Sequence, residues 1–295
     1  MKMKKIITFL IGVVFIASNS ILANATTLES EQNNSSVIGI EEALASSELN
    51  KFADDEAPSN SLNYLKDNAV SSTITEYYLR STTDSDGNTV VDPKKYTEEE
   101  YNEIKVQKMP RDFNNDRFYE NSWVRLKLEA YKLSNGDYDF YMFYNWKTKP
   151  MLTFSDVIGL SYPSTLACDT TSAFSYHRQT LINPTTQAVS YSSKTHKFGE
   201  SSYFKSSLNG VSFKFDLPSS PDTWPTYYEG YLNVHGGFTT PSTTASTIEL
   251  SYIHQQISLP YNIQDAVEFL ATGKIQVKIT GGQDEFRAAD RFNRF

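Results

Sequence analysis

Four histidines, one cysteine and a spread of acids are the residues of this chain with the means to do chemistry. His177, His196, His235 and His254 lie far apart in the sequence, each in a segment that reads as strand. Zinc takes three or four ligands, and imidazoles on neighbouring strands meet one ion only when they stand at the same height. Spacing alone does not bring them there, so the four are weak metal candidates and no cofactor is expected. Cys168 is the single cysteine, so an internal disulfide is excluded. A thiol nucleophile needs a neighbouring base and a lowered pKa, and no motif around Cys168 supplies either. A small buried side chain is the expectation there. Asp156, Asp169, Asp216 and Glu229 are available as paired carboxylates for glycoside hydrolysis, yet nothing in their spacing selects a pair. The usual catalytic signatures (G-x-S-x-G, H-E-x-x-H, a paired C-x-x-C, a phosphate-cradling glycine loop) are missing. The expectation leans away from an enzyme, with an unrecognised hydrolase as a remaining alternative.

The positive feature is aromatic. With 19 Tyr, 18 Phe and 3 Trp, the chain has many rings to place. Most belong to strand cores and cross-strand pairs. Trp224, Tyr227 and Tyr228 differ, because they follow a stretch holding Pro218, Pro221 and Asp222. Rings displayed there could stack on a sugar or anchor a partner, which makes these three the candidate ligand-binding residues. A second segment, 187–208, is long, polar and weakly alternating. Secreted pore-forming toxins carry hairpins of that kind, so a membrane-active toxin is the alternative to a binding protein.

The start of the chain says where it works. Lys2, Lys4 and Lys5 precede an apolar run from Ile6 to Ala17, and Ala23-Asn24-Ala25 follows. Charged, apolar and small-x-small regions in that order read as a secretory signal cleaved after Ala25. The apolar run is too short for a membrane span of about 20 residues, and none is expected later. A short lysine-rich signal with a single cysteine suits a Gram-positive bacterium. The net charge is −8, becoming −11 once the three signal lysines are gone. Residues 26–100 carry 16 acids against 5 bases, whereas 101–295 carry 19 of each. Nucleic acid is therefore an improbable partner, since phosphate contacts need clustered cations. A carbohydrate, peptide or protein at a cell surface is the expected ligand class.

The elements that must position these side chains read as mostly β. Residues 26–60 read as an acidic flexible leader and 61–295 as a β-rich body, with a subdivision near 150–170. Within the leader, Ile40, Ala43 and Leu44 predict a short helix over 41–51. Strands are expected over 74–80, 123–133, 138–147, 174–181, 188–198, 211–217, 228–235, 248–259 and 275–280. Thr97 and Glu100 form a capping box for a short helix. Asn135-Gly136 predicts a tight type I′ hairpin, and aromatics on both faces of 138–147 predict a strand covered on both sides. Val124, Leu126, Leu128 and Ala130 alternate with Arg125, Lys127 and Glu129. Gln264–Thr272 reads as a helix stopped by Gly273, and Asp284–Phe295 as a tail that either docks back or frays. The acidic turn 84–88 does not fit a calcium loop and reads as a hairpin. The sum is an antiparallel β-sandwich or barrel-like domain with a few short helices.

Overall fold

The computed structural model describes residues 37–83, 89–106, 120–148, 155–183, 185–216, 224–255, 263–278 and 283–295. The signal segment, residues 26–36 of the leader and the turn 84–88 lie outside that set.

In chain order the elements are β1 (Val37–Gly39), α1 (Ile40–Ser46), a 3₁₀ turn (Glu48–Phe52), α2 (Glu56–Asn68), β2 (Ala69–Thr83), β3 (Thr89–Val91) and α3 (Glu98–Val106). There follow β4 (Glu120–Leu133), β5 (Tyr138–Trp146), β6 (Ser155–Ser161), β7 (Leu166–Ile182), β8 (Val189–Lys197), β9 (Phe204–Ser207) and β10 (Gly210–Asp216). The chain closes with β11 (Trp224–Phe238), β12 (Ala245–Gln255), α4 (Ile263–Ala266), β13 (Val267–Phe269), β14 (Ile275–Val277) and β15 (Gln283–Asn293). Among the described residues these strands form two large antiparallel sheets and one small one. The larger runs β1-β2-β4-β5-β11-β7-β8, with β3 on β2; the smaller runs β15-β12-β6-β10-β9; β13 and β14 pair alone.

Strand alternation explains why the sheets stack. On β4, Val124, Leu126, Leu128 and Ala130 point inward, as do Phe140, Met142 and Tyr144 of β5. They meet Ile158, Leu160, Phe213, Phe215, Leu250 and Tyr252 of the smaller sheet in one continuous core. Full burial of each such side chain is worth about 1.5–3 kcal/mol. The protein is thus mostly β and sandwich-like, as its alternation implies.

The opposite face of the larger sheet is also covered. Tyr131, Tyr141, Phe143, Tyr176 and Tyr231 stand on it and pack under Ala43, Leu49, Phe52, Leu62 and Leu65 of the N-terminal segment. This is the second cover that the aromatics of 138–147 require, and β5 is buried almost throughout. Residues 37–60, read from composition as leader, therefore form β1, α1, the 3₁₀ turn and the start of α2, and the ordered body begins ahead of residue 61. The helix expected over 41–51 breaks at Ser47, whose hydroxyl caps the 3₁₀ turn at Leu49 N. Arg125, Lys127 and Glu129, polar in sequence, are buried beneath this strap. They are satisfied by charge: Arg125 Nη2 lies 2.6 Å from Glu48, and Lys127 Nζ 2.8 Å from Glu129. Ser47 Oγ donates to Glu129 at 2.8 Å.

Local chemistry holds in most places. The Thr97 and Glu100 capping box is present, with reciprocal bonds of 2.9 and 3.2 Å. The β4–β5 hairpin turns at Asn135-Gly136, but only Gly136 takes a positive φ, +92°. The turn is therefore not type I′. It is the looser loop in which a left-handed glycine follows an ordinary turn. The helix expected over 264–272 lasts only to Ala266. Val267–Phe269 instead pairs with Ile275–Val277, because Val267 and Ile275 bury together against Val157 and Ile253. Of the two alternatives for residues 284–295 the chain docks back, since β15 pairs with β12 along eleven residues. Near 150–170 the chain changes sheets, from β6 in the smaller to β7 in the larger. No helix among the described residues is long and apolar enough to cross a membrane.

Candidate functional site

A cleft of about 480 Å³ opens where α2 lies across the larger sheet. Its floor is one row of side chains on four adjacent strands: Tyr141 of β5 opposite Asn233 of β11, Asn233 opposite Phe174 of β7, and Phe174 opposite Lys197 of β8. Directly opposed residues share a face, so register alone puts these four side by side. The wall is the exposed flank of α2, Asn60 and Tyr64, with Ala57 and Ser61 beneath.

One end of the cleft carries an acid–imidazole cluster. Asp139 stands opposite His235, and its Oδ1 lies 3.1 Å from His235 Nδ1. Asp137 approaches the other ring nitrogen at 3.5 Å. Gly237 leaves room for that approach, since an added Cβ would come 2.6 Å from the Asp137 carboxylate. A register shift between Asn233 and His235 re-aims β11 here, and Ser172 Oγ accepts from His235 N at 3.1 Å. The hydrogen bond to Asp139 raises the His235 pKa; burial opposes it, and both carboxylate charges add to it. Burial and the same two carboxylates raise the Tyr64 phenol. At neutral pH the cleft therefore offers a ring-lined floor, amides at Asn60 and Asn233, a lysine at one end and an acid–imidazole cluster at the other. That set can hold a polar ligand with an apolar face.

The residues singled out from sequence are dispersed. Among the candidate ligand-binding aromatics, Tyr227 is 52% exposed, on the outer face of the larger sheet. Tyr191 is exposed two strands away, both residues lying opposite Thr180. Tyr228 is 1% exposed and turned into the inter-sheet core, so strand alternation closes it to a surface ligand. Trp224 is the first residue of β11, paired with Ile182 and not in a loop; its side chain lies outside the described set.

The histidines separate into three places. His177 and His196 are neighbours, with ring centroids 5.9 Å apart. His235 is in the cleft. His254 is buried, its Nδ1 2.9 Å from Asp156. Among the described residues no group of three or more His, Cys, Asp or Glu is placed to hold a metal ion. The four candidate carboxylates each have local partners: Asp156 with His254 and Tyr252, Asp169 with Thr171, Asp216 with Ser155, and Glu229 with Arg178. Burial pushes the Cys168 thiol up to about 12. Segment 187–208 is not a hairpin: β8 is an edge of the larger sheet and β9 an edge of the smaller one. Residues 198–203 cross between the sheets, so β8 and β9 cannot pair.

Sequence reasoning missed the cleft. Its residues sit on five elements, and its wall belongs to a helix in the segment read as leader or at its border. Asn233 and His235, two apart in the strand expected over 228–235 and so on one face of it, were the one signal that pointed to it.

No protein-family model matches this sequence, and no curated protein matches it either. Among solved structures, the chain is similar to Clostridium perfringens delta-toxin at 7% identity and a TM-score of 0.29, over 76% of this chain and 90% of the toxin. It is also similar to the collagen-binding subdomain of the Enterococcus faecalis surface protein ACE. There the identity is 11% and the TM-score 0.26, over 51% of this chain and 86% of that one. Superpositions this loose carry no argument about ligand or activity.

Proposed function

We propose that this chain is an exported, non-enzymatic binding protein whose cleft takes a sugar or another polar ligand of similar size. One observation carries the reading: a cleft of about 480 Å³ with Phe174 and Tyr64 on its surface and Asn60, Asn233, His235 and Lys197 around them. Sugar recognition needs that combination, a ring face for the C–H side of the pyranose and fixed amide, carboxylate or amine groups for its hydroxyls. The signal-like first 25 residues support export. Tyr227 and Tyr191 form a separate exposed aromatic surface and serve as an auxiliary contact.

The test is calorimetric titration of the protein with a panel of mono- and oligosaccharides, repeated on Tyr64→Ala, Asn60→Ala and Tyr227→Ala. A ligand of the cleft binds the first two variants about tenfold or more weakly, roughly 1.4 kcal/mol each, with melting temperatures unchanged. Tyr227→Ala keeps most of the affinity. No binding across the panel at millimolar concentration, or full affinity in both cleft variants, rejects the reading. Release of reducing sugar would make the protein a hydrolase instead. Leakage of liposomes would restore the membrane-active alternative, which requires β8 and β9 to leave two different sheets.

A further inference from the structure

Two buried imidazoles stand where the β8 edge passes over to the smaller sheet. Among the described residues β8 pairs only with β7 and β9 only with β10. Most of β8 is exposed, yet His196 turns inward and is 1% exposed. Its ring stacks on Tyr203 of the crossing segment at 4.2 Å. His177 of β7, also buried, stacks on Phe215 of β10 at 3.8 Å. One ring thus ties the crossing segment to β8, and the other ties β7 to the smaller sheet.

We propose that His177 and His196 form an acid-sensitive latch, closed at neutral pH, whose protonation frees the β8–β9 edge of the molecule. His196 Nδ1 donates to Glu200 Oε2 at 2.8 Å, which leaves Nε2 as the lone-pair nitrogen, buried and without a hydrogen-bond partner. A bare neutral acceptor is less costly in such a place than a charged donor. A proton on Nε2 would bury a charged donor with nothing to receive it. His177 exchanges hydrogen bonds with Tyr144 and Ser175, at 3.2 and 2.8 Å. Those hydroxyls can serve either protonation state, so charge decides the outcome there.

The charged surroundings favour the neutral pair. From β8, Lys194 opposes protonation of both rings. From the crossing segment Glu200 attracts it at His196, but its side chain is 42% exposed and its charge is screened. From β10, Asp216 attracts weakly from 54% exposure, with Lys214 beside it. From β5, burial holds the Tyr144 phenol neutral. Burial lowers both imidazoles first of all, and at His177 the neighbouring His196 lowers it further.

A group whose folded pKa is depressed below an unfolded value of about 6.5 favours the closed state above that pH. It favours opening as the pH falls below it. Between pH 7.5 and 5.0, one imidazole that titrates only in the open state shifts the opening equilibrium by about thirtyfold. β8 also carries Thr195 and Lys197 of the cleft, so opening removes one end of its floor. The latch itself does not depend on what the cleft binds.

Hydrogen exchange read by mass spectrometry at pH 7.5 and 5.0 tests the latch. Corrected for intrinsic rates, peptides covering 189–207 should exchange at least tenfold faster at pH 5.0, while the β4–β5 hairpin stays protected. His196→Phe keeps a ring against Tyr203 and should cut the response severalfold or more, leaving only what His177 contributes. No selective acceleration in the wild type, or equal acceleration in both proteins, overturns the proposal. Should His196→Phe fail to fold, NMR titration of the wild-type imidazoles decides. Midpoints below 6.5 that coincide with edge opening support the latch, and a ring titrating at 6.5 or above with the edge still protected refutes it.

Discussion

Replacing Glu48 by Gln removes the charge on which the N-terminal strap sits. Glu48 Oε2 lies 2.6 Å from Arg125 Nη2 and 2.5 Å from Lys51 Nζ, and its side chain is only 10% exposed. Burial alone would raise its pKa, but the Arg125 charge and hydrogen bond, joined by Lys51, win and bring it from 4.5 to about 2. At 1.36 kcal/mol per pKa unit the depression is worth roughly 3 kcal/mol at neutral pH. Breaking a buried pair by removing one partner costs about 3–5 kcal/mol. Here Arg125 keeps Glu76 at 3.4 Å and Lys127 keeps Glu129, so the lower end applies. We expect Glu48→Gln to cost about 2–3 kcal/mol at pH 7, a fall in melting temperature of roughly 4–12 °C for a domain of this size. Because the folded pKa is depressed, this stability is present above pH 4.5 and disappears as the pH falls toward 2. Circular dichroism melts of both proteins at pH 7, 4 and 3 measure it. A loss under 0.5 kcal/mol at pH 7, or a gap that does not narrow with acid, would refute the argument that Glu48 acts as a buried anion.

Three further outcomes follow from the packing. Asp156→Ala leaves the Tyr252 hydroxyl and His254 without their acceptor in a site 0–4% exposed, and should cost about 3–5 kcal/mol at pH 5.5. Burial lowers the His254 pKa, but the charge and hydrogen bond of Asp156, joined by the Asp284 charge, raise it on balance, so this loss is full below about pH 6.5 and shrinks as the pH rises through the folded value; urea melts at pH 5.5 and 8.5 give the sign. Gly230→Ala places a Cβ 2.2 Å from the Tyr176 carbonyl, between two central strands, and should lose several kcal/mol or fail to fold, read as soluble yield and melting temperature. The Cys168 thiol, held near 12, should react with a disulfide reagent roughly a thousandfold more slowly in the native protein than after denaturation, in line with its thiolate fraction.

Much of the fold was legible because strands write themselves with period two. Val211, Phe213 and Phe215 had to face a core, and they do. Asn135-Gly136 had to turn, although the backbone took a different turn from the one most common for that pair. Arg125, Lys127 and Glu129 misled because polarity reports what a residue prefers, not what later covers it. The strap folds over them; Arg125 is met by Glu48, nearly eighty positions away in the chain, and Lys127 and Glu129 pair with each other. Val267–Phe269 misled because a helix-compatible stretch of three residues gains more from pairing with Ile275–Val277 than from one further helical turn.

The candidate site shows the same division. Trp224, Tyr227 and Tyr228 were selected by composition, and only the strand's alternation separates exposed Tyr227 from buried Tyr228. The four histidines carry no sign in the sequence that His177 and His196 meet, that His235 has two carboxylates, or that His254 has one. By itself the sequence determined the alternation, the turns, the charge asymmetry and the signal-like start, since each depends on residues close together in the chain. Only the tertiary structure decided which polar face is covered, which imidazoles are neighbours and where a cleft opens. Those depend on strand order and register, and both are set by the summed burial of distant residues.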